Sequence, residues 1–244
     1  MANTTVETGV VPAPKNLLAR FVGIITSPRA TYQSVVAQPR WLGMLVLTTL
    51  IMAVCTTLPM TTDAGREAAL EQQVKQMESM GFTVNDQMYE QLQKRMAYAQ
   101  YTTAGSIVVI SPIMAVIFSG ILFAIFNAAM GGTATFKQVF TVFVHASAVS
   151  ALGQLFTGPF NYFRGAMTSA TNLAVLLPML PDTSFVGKLA GMIDLFVIWW
   201  VIVLSIGLAV LYRRKTQSIA IALFSVYAVI ALAVAAFMSR GGTH

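Results

Sequence analysis

Five runs of about twenty apolar residues divide this chain, and polar segments of unequal length separate them. A helix needs about twenty apolar residues to cross the roughly 30 Å hydrocarbon core of a bilayer. The five runs occupy residues 41–60, 103–130, 138–157, 189–212 and 218–238. The pattern therefore predicts an all-α integral membrane protein built as a bundle of five transmembrane helices.

The segment before the first run has helical periodicity of its own. Apolar residues at positions 17, 18, 21, 24 and 25 recur at helical spacing, with basic residues beside them. The pair Ser27-Pro28 is typical of a helix start, because proline fits the first turn. Residues 15–40 are thus predicted to form two short interfacial helices on the membrane surface. The polar residues 1–14 are predicted to be a disordered tail.

Residues 62–101 follow the first run and are rich in charged and amide side chains. Gly81 suits the end of one helix, and the pattern Thr83-x-x-Asp86 suits the capping box of the next. Nothing in the sequence interrupts this second helix before the run at 103–130. We therefore predict a helical hairpin outside the membrane, with its second helix continuous with the second span.

A short apolar run at 173–180 cannot cross a bilayer. It is interrupted by Pro178 and closed by Pro181. Residues 165–181 are therefore interpreted as either a re-entrant or an interfacial segment, and the sequence leaves both alternatives open.

Composition agrees with the apolar pattern. Hydrophobic residues make up 56% of the chain and charged residues 10%, whereas soluble domains have about 25% charged residues. The net charge of +6 does not indicate nucleic-acid binding, because no cluster combines Lys or Arg with exposed aromatic residues. One cysteine and two histidines cannot supply a four-ligand metal site. No metal and no cofactor are expected.

Basic residues without neighbouring acids mark one side of the membrane. They precede the first run, occupy the turn between the second and third runs, and join the fourth and fifth runs as Arg213, Arg214 and Lys215. Cations in short segments beside the spans indicate the cytoplasmic side. This distribution predicts a cytoplasmic N-terminus, an outside C-terminus and an extracytoplasmic hairpin at 62–101.

Three polar residues inside or beside the spans are candidate intramembrane contacts. Asp194 lies nineteen residues before Arg213, about 28 Å along a helix, which places it at the outer boundary. It is interpreted either as a boundary residue that tolerates replacement by leucine or as a polar contact in an outward-facing cavity, with Arg164 as its best cationic partner. Asn127 and His145 lie at similar depth, so an interhelical hydrogen bond is predicted, with a proton or ligand relay as the alternative.

Reactive constellations are missing from the sequence. It contains neither a glycine-rich phosphate loop nor paired intramembrane carboxylates, and no Ser or Cys nucleophile has a base at a plausible spacing. An intramembrane enzyme is therefore the least favoured class, and the protein is predicted not to be an enzyme.

Three short patterns carry a family resemblance. The first is P-x-x-T-[FY] from Pro28 to Tyr32, the second is Gly131-Gly132 followed by Phe136-Lys-Gln, and the third is D-x-F-x-x-W from Asp194 to Trp199. With the overall organisation of residues 15–238, they resemble bacterial members of the Yip1 domain family.

The resemblance implies five spans, a cytoplasmic N-terminus and a place in the bacterial cytoplasmic membrane. Eukaryotic relatives assist vesicle trafficking and bind small GTPases, but their Asp-Leu-Tyr-Gly-Pro motif is reduced here to Pro39 and Trp41. Their Gly-Tyr motif in the third span is also absent. GTPase binding is therefore not expected of this chain.

These observations favour a non-catalytic membrane protein that acts as a scaffold, binds partners or organises the membrane. The alternative is a transporter or channel for a small molecule or lipid. A cavity that crosses the bilayer would favour transport, whereas a packed bundle with an exposed groove would favour a scaffold. The expected partners are the lipid bilayer and a membrane or envelope protein; a homo-oligomer stays open.

Overall fold

The computed structural model describes residues 16–165, 167, 169–177, 179–181 and 184–240. The predicted tail at 1–14 lies outside these residues. The described chain is helical, with one isolated bridge between Asn172 and Asp194. Its α-helices are α1 Leu17–Thr26, α2 Pro28–Ala37, α3 Leu42–Thr57, α4 Asp63–Ser79, α5 Asp86–Met96, α6 Ala99–Phe123, α7 Phe136–Arg164, α8 Phe185–Met192, α9 Leu195–Tyr212 and α10 Thr216–Arg240.

Four helical segments of the described chain are long and apolar enough to cross a membrane. They are Ala99–Ala128, Phe136–Arg164, Leu195–Tyr212 and Thr216–Ser239. The first of them includes a π-helical turn, Ala124–Ala129, at the end of α6. Helix α3 has 16 residues and is shorter than the usual span, although a 3₁₀ turn at Pro59–Thr61 prolongs it. Whether α3 is a fifth span remains a prediction.

The two short helices expected at 15–40 are present as α1 and α2. Asn16 caps α1 by accepting a hydrogen bond from the backbone N–H of Ala19, and Pro28 is the first residue of α2. The helices pack closely because Gly23 of α1 lies against Thr31 of α2. A Cβ at Gly23 would lie 2.5 Å from the Thr31 hydroxyl oxygen, so only glycine allows this approach.

Helices α4 and α5 pack against each other as the predicted hairpin. Gly81 follows the end of α4 with a φ of 87°, a conformation that glycine adopts without strain. The expected cap at Thr83 is wrong, because the side chain of Asn85 accepts from Met88 N–H and caps α5. The expected continuity with the second span is also wrong, since α5 ends at Met96 and α6 begins at Ala99.

Helix α7 is the centre of the bundle. It packs against α3, α9 and α6, and its first turns also contact α1 and α2. Residues 139–146, 148 and 149 of α7 are all buried, and Ser147 between them is partly buried. Helices α6 and α10 lie at the periphery and expose most of their apolar side chains, as helices in contact with lipid do.

The fourth predicted run is not one helix. Its first residues belong to α8, which ends at Met192, and α9 begins only at Leu195. Asp194 lies between the two helices with extended backbone angles, so the predicted helix start at 189 is wrong. The reason is that an apolar run shows where a chain avoids water but not where its helical hydrogen bonds are interrupted.

Candidate functional site

Tyr32 anchors α2 to the membrane bundle. Its side chain is fully buried, and its hydroxyl donates to the backbone carbonyl of Val142 in α7 at 3.3 Å. Burial raises the pKa of Tyr32, so the hydroxyl stays protonated and remains a donor. Its ring lies on Gly207 of α9, where an added Cβ would be 2.7 Å from the ring carbon Cζ. The pattern that begins at Pro28 therefore docks α2 into a notch between α7 and α9.

Trp41 fixes the junction between α2 and α3. It lies directly before α3, and its ring meets Phe140 of α7 edge-on, with the centroids 5.2 Å apart. Pro39 precedes it, and Arg20 of α1 donates to the carbonyl of Arg40 at 2.9 Å. The residues around 39–41 thus join the short helices to the bundle.

His145 lies in the buried part of α7 and contacts α1. Its Nδ1 is 2.8 Å from the carbonyl oxygen of Thr141, which can only accept, so Nδ1 carries the hydrogen. Nε2 then has a free lone pair and accepts from Arg20 Nη1 at 3.4 Å. Burial, and secondarily the charge of Arg40, lower the pKa of Arg20. The guanidinium remains charged, and its charge is not offset by a nearby carboxylate in the described structure.

The turn between α6 and α7 requires its two glycines. Gly131 has a φ of 69°, and the N–H of Gly132 donates to the carbonyl of Phe126 at 2.9 Å. An added Cβ at Gly132 would lie 2.5 Å from the ring of Tyr212, which is itself stacked on Phe126 at 4.9 Å. The turn is therefore packed against the end of α9.

Asn127 links this turn to α9. Its amide donates to the carbonyl of Ala134 at 2.6 Å, and its carbonyl accepts from the hydroxyl of Tyr212 at 2.9 Å. Both polar groups of Asn127 are thus engaged away from His145, whose partners are Thr141 and Arg20. The predicted hydrogen bond between Asn127 and His145 is wrong, because equal depth in the membrane does not bring two helix faces together.

A double-mutant cycle checks this assignment. Tyr212→Phe should lower the free energy of unfolding by about 0.6 kcal/mol, an average value for a hydrogen bond inside a membrane protein. Asn127→Leu with Tyr212→Phe should cost less than the sum of the single changes, because both remove one bond. Asn127→Leu with His145→Leu should instead be additive. Thermal unfolding in detergent measures both couplings; coupling only in the second pair would contradict the structure.

The other two family-like aromatic positions, Phe136 and Trp199, also pack on neighbouring rings. Phe136 begins α7, stacks on Phe140 at 5.9 Å and meets Phe123 edge-on. Trp199 stacks on Phe196 within α9 at 6.2 Å. Both side chains therefore pack on aromatic neighbours.

One end of the bundle forms a surface that we call the basic face. It comprises α1, α2 and the turns after α6 and α9. The two turns meet, since Arg214 donates to the Met130 carbonyl at 3.3 Å. The cations of this face are Arg20, Arg29, Arg40, Lys137, Arg213, Arg214 and Lys215. The contributing segments 16–41, 130–137 and 213–218 contain no Asp or Glu.

A cavity of about 730 Å³ opens between α2, the glycine turn and the end of α9. Gln33, Gln138, Arg213 and Arg214 are among its polar lining residues. Cationic and amide groups at such a cavity can bind an anion or an acidic peptide segment. The basic face is therefore a candidate binding surface rather than a reactive centre.

Asp194 caps α9 at the opposite end of the bundle. Its Oδ1 accepts from the backbone N–H groups of Phe196 at 2.8 Å and Val197 at 3.3 Å. Its Oδ2 accepts from the hydroxyls of Ser169 at 3.0 Å and Thr171 at 2.5 Å. The carboxylate thus links the segment after α7 to the start of α9, and these hydrogen bonds explain why an apolar run contains an acid.

Asp194 also lines a cavity of about 460 Å³ between α3, α7 and α9. Gln154 and Asn161 of α7 line the same cavity. Arg164 does not pair with Asp194; its guanidinium lies over the ring of Phe160, 5.2 Å from the centroid. The predicted cationic partner is therefore wrong, because hydroxyls and backbone N–H groups satisfy the carboxylate.

Sequence reasoning missed the residues that complete these sites. Tyr212 ends an apolar run beside three cations, which is typical of an interfacial aromatic and could have indicated a polar partner. Ser169 and Thr171 are small hydroxyl residues in a loop and gave no signal of their own. The sequence marks Arg20 only as one of the basic residues beside the apolar positions of the first helix.

Comparison with known proteins identifies a family for this chain. A family model described as the Yip1 domain matches residues 22–238. No curated protein and no solved structure matches the chain. The match covers α2, the glycine turn, α9 and, up to residue 238, the four helices of the described chain that are long enough to span a membrane. The chain therefore belongs to the Yip1 domain family of membrane proteins.

Proposed function

We propose that this protein is a non-catalytic, multi-pass membrane scaffold whose basic face is a cytoplasmic docking platform for an acidic partner protein. The observation that carries the proposal is the basic face itself, with seven cations and no acid in its segments. Tyr32, Trp41 and the Asn127–Tyr212 bond hold this surface in one shape. A rigid, single-sign surface recruits partners of opposite charge and speeds their encounter.

Charge asymmetry supports a cytoplasmic position for the basic face. The hairpin of α4 and α5 at the other end of the bundle carries six acids, Asp63, Glu67, Glu71, Glu78, Asp86 and Glu90. Basic residues in short segments beside membrane helices are retained in the cytoplasm. The proposed topology thus has the N-terminus in the cytoplasm of a bacterial inner membrane and the hairpin outside.

The surface of α1 supports an interfacial position. Leu18 and Val22 lie one turn apart on α1 and are 67% and 54% exposed. Leu42 and Val46 at the start of α3 are also exposed. The side chain of Leu17 in α1 lies beside Gly43 of α3, so the two helices are neighbours here. Apolar residues on one exposed stripe suit burial at the boundary between headgroups and acyl chains.

Packing between the two polar cavities favours a scaffold over a transporter. One cavity adjoins Gln138 and Arg213, and the other adjoins Gln154 and Asp194, so they lie near opposite ends of α7 and α9. Between them, residues 139–146, 148 and 149 of α7 are buried, and most of these are apolar core residues. Transport would require this packing to open, whereas docking at the basic face would not.

In-cell photo-crosslinking tests the platform. A photoreactive residue at Ala30, exposed on α2, should capture a cytoplasmic protein. The yield should fall at least about threefold when Arg29 and Lys137 are changed to glutamine, because two cations of the platform are lost. The same residue at Gln73, exposed on α4, is the matched control and should not capture that protein.

Thiol labelling establishes the side of each position. Cysteines are placed at Ala30 and at Gln73 after replacement of Cys55, which is the chain's single cysteine. An impermeant thiol reagent added to intact cells should label only the Gln73 position. Labelling of the Ala30 position would show the reverse topology. In the crosslinking experiment, a yield that does not change when Arg29 and Lys137 become glutamine would contradict an electrostatic platform.

A further inference from the structure

A groove separates α6 from α10 beside the turn that joins α9 to α10. Its volume is about 450 Å³, and its walls are apolar side chains of the two helices, including Leu122, Ile125, Leu223 and Val226. Ile125 and Val226 are about half exposed. Because α6 and α10 are the two least buried spans, the open side of the groove faces the acyl chains of the bilayer.

Three consecutive cations close one end of this groove. Arg213, Arg214 and Lys215 all line it, and all three are exposed. Backbone geometry holds them there, since Arg213 follows the last residue of α9 with a φ of 53° and the N–H of Arg214 donates to the Ala209 carbonyl. Helix α10 begins at the next residue, so the positive end of its dipole adds to the same potential.

The dimensions of the groove match one leaflet. From Lys215 to Val226 the lining of α10 extends eleven residues, about 16 Å along a helix. Half of the hydrocarbon core is about 15 Å thick. The groove therefore runs from the level of the headgroups to the middle of the membrane, with its charge at the headgroup end only.

We propose that this groove binds one anionic phospholipid, with its phosphate at Arg213–Lys215 and an acyl chain between α6 and α10. Charge complementarity selects the anionic headgroup, and the apolar walls select a lipid over a free phosphate. Basic pockets between membrane helices hold anionic headgroups by the same combination of forces. The site shares Arg213, Arg214 and Lys215 with the basic face, whereas its apolar walls belong to α6 and α10. Lipid retention by the purified protein is measured without a protein partner, so its test does not depend on the proposed platform.

Native mass spectrometry of the full-length protein tests the site. The protein is released from vesicles of equal parts dioleoylphosphatidylglycerol and dioleoylphosphatidylcholine. The wild type should retain phosphatidylglycerol in preference to phosphatidylcholine. Arg214→Gln with Lys215→Gln should weaken this retention about tenfold, because each cation near the headgroup contributes to binding. Arg29→Gln with Lys137→Gln, on the same face but away from the groove, should leave it unchanged.

A second variant tests the acyl chain separately. Ala222 lines the groove and is exposed, so Ala222→Phe fills the space without changing the charge. It should reduce retention at least about threefold, while unfolding temperatures show that the variants are folded. Glycerol phosphate in excess should not displace the lipid. Retention that survives Ala222→Phe, competition by glycerol phosphate, or an equal loss in the Arg29 and Lys137 control would each overturn the proposal.

Discussion

Tyr32→Ala should destabilise the protein by about 3 to 5 kcal/mol, the range measured when a large aromatic side chain is removed from a packed core. The ring is fully buried between α7 and α9, and no neighbour can fill the space without moving a helix. Its loss should release α1 and α2 from the bundle. Thermal unfolding of the purified protein in detergent measures the change.

The conservative variant separates the ring from its hydroxyl. Tyr32→Phe removes only the 3.3 Å bond to the Val142 carbonyl and should cost about 1 kcal/mol or less. Gly207→Ala should also destabilise, because its Cβ would lie 2.6 Å from Val142 Cγ1 and 2.7 Å from Tyr32 Cζ. Equal losses for Tyr32→Phe and Tyr32→Ala would show that the hydroxyl, and not the ring, anchors α2.

The same position gives the family-like pattern from Pro28 to Tyr32 a physical role. In P-x-x-T-[FY], Pro28 starts α2, Thr31 packs on Gly23, and Tyr32 enters the notch over Gly207. Gly131 and Gly132 similarly form a turn that leaves room for the ring of Tyr212. These positions maintain the shape of the basic face.

Local features of this fold could be predicted from the sequence because they depend on neighbouring residues. Apolar run length located the long helices, and Pro28 and Gly81 marked a helix start and a helix end correctly. The break before α9 could not be predicted in this way. Asp194 interrupts the helix because of hydrogen bonds to a distant loop, and hydropathy contains no information about them.

Polar partners were harder to predict than helices for the same reason. Asn127 bonds with Tyr212, 85 residues away, and Arg20 bonds with His145, 125 residues away. Depth in the membrane limits which side chains can meet, but the rotation of each helix decides which ones do. That rotation follows from the packing of the whole bundle, including close approaches such as Gly158 of α7 on Cys55 of α3.

Replacing Asp194 by alanine should lower the free energy of unfolding by about 3 kcal/mol, whereas the interpretation of Asp194 as a boundary residue predicts tolerance even of leucine. The change removes a helix cap, which costs about 1 kcal/mol on average, and leaves the hydroxyls of Ser169 and Thr171 without their charged acceptor. Thermal unfolding in detergent measures the loss. Asn85→Ala is the matched control, because it removes only the cap of α5 and should cost about 1 kcal/mol.

Two further variants show how much of the loss in unfolding free energy comes from each carboxylate oxygen of Asp194. Asp194→Asn keeps an oxygen that can accept from Phe196 and Val197, so it should lose less than alanine does. Thr171→Val removes one hydroxyl from Oδ2 and should cost about 1.5 kcal/mol, as bonds to charged groups do. In the Asp194→Ala background, Thr171→Val should cost almost nothing, because its partner is already gone. An undiminished cost there would show that the carboxylate does not hold the loop and that Asp194 is only a boundary residue.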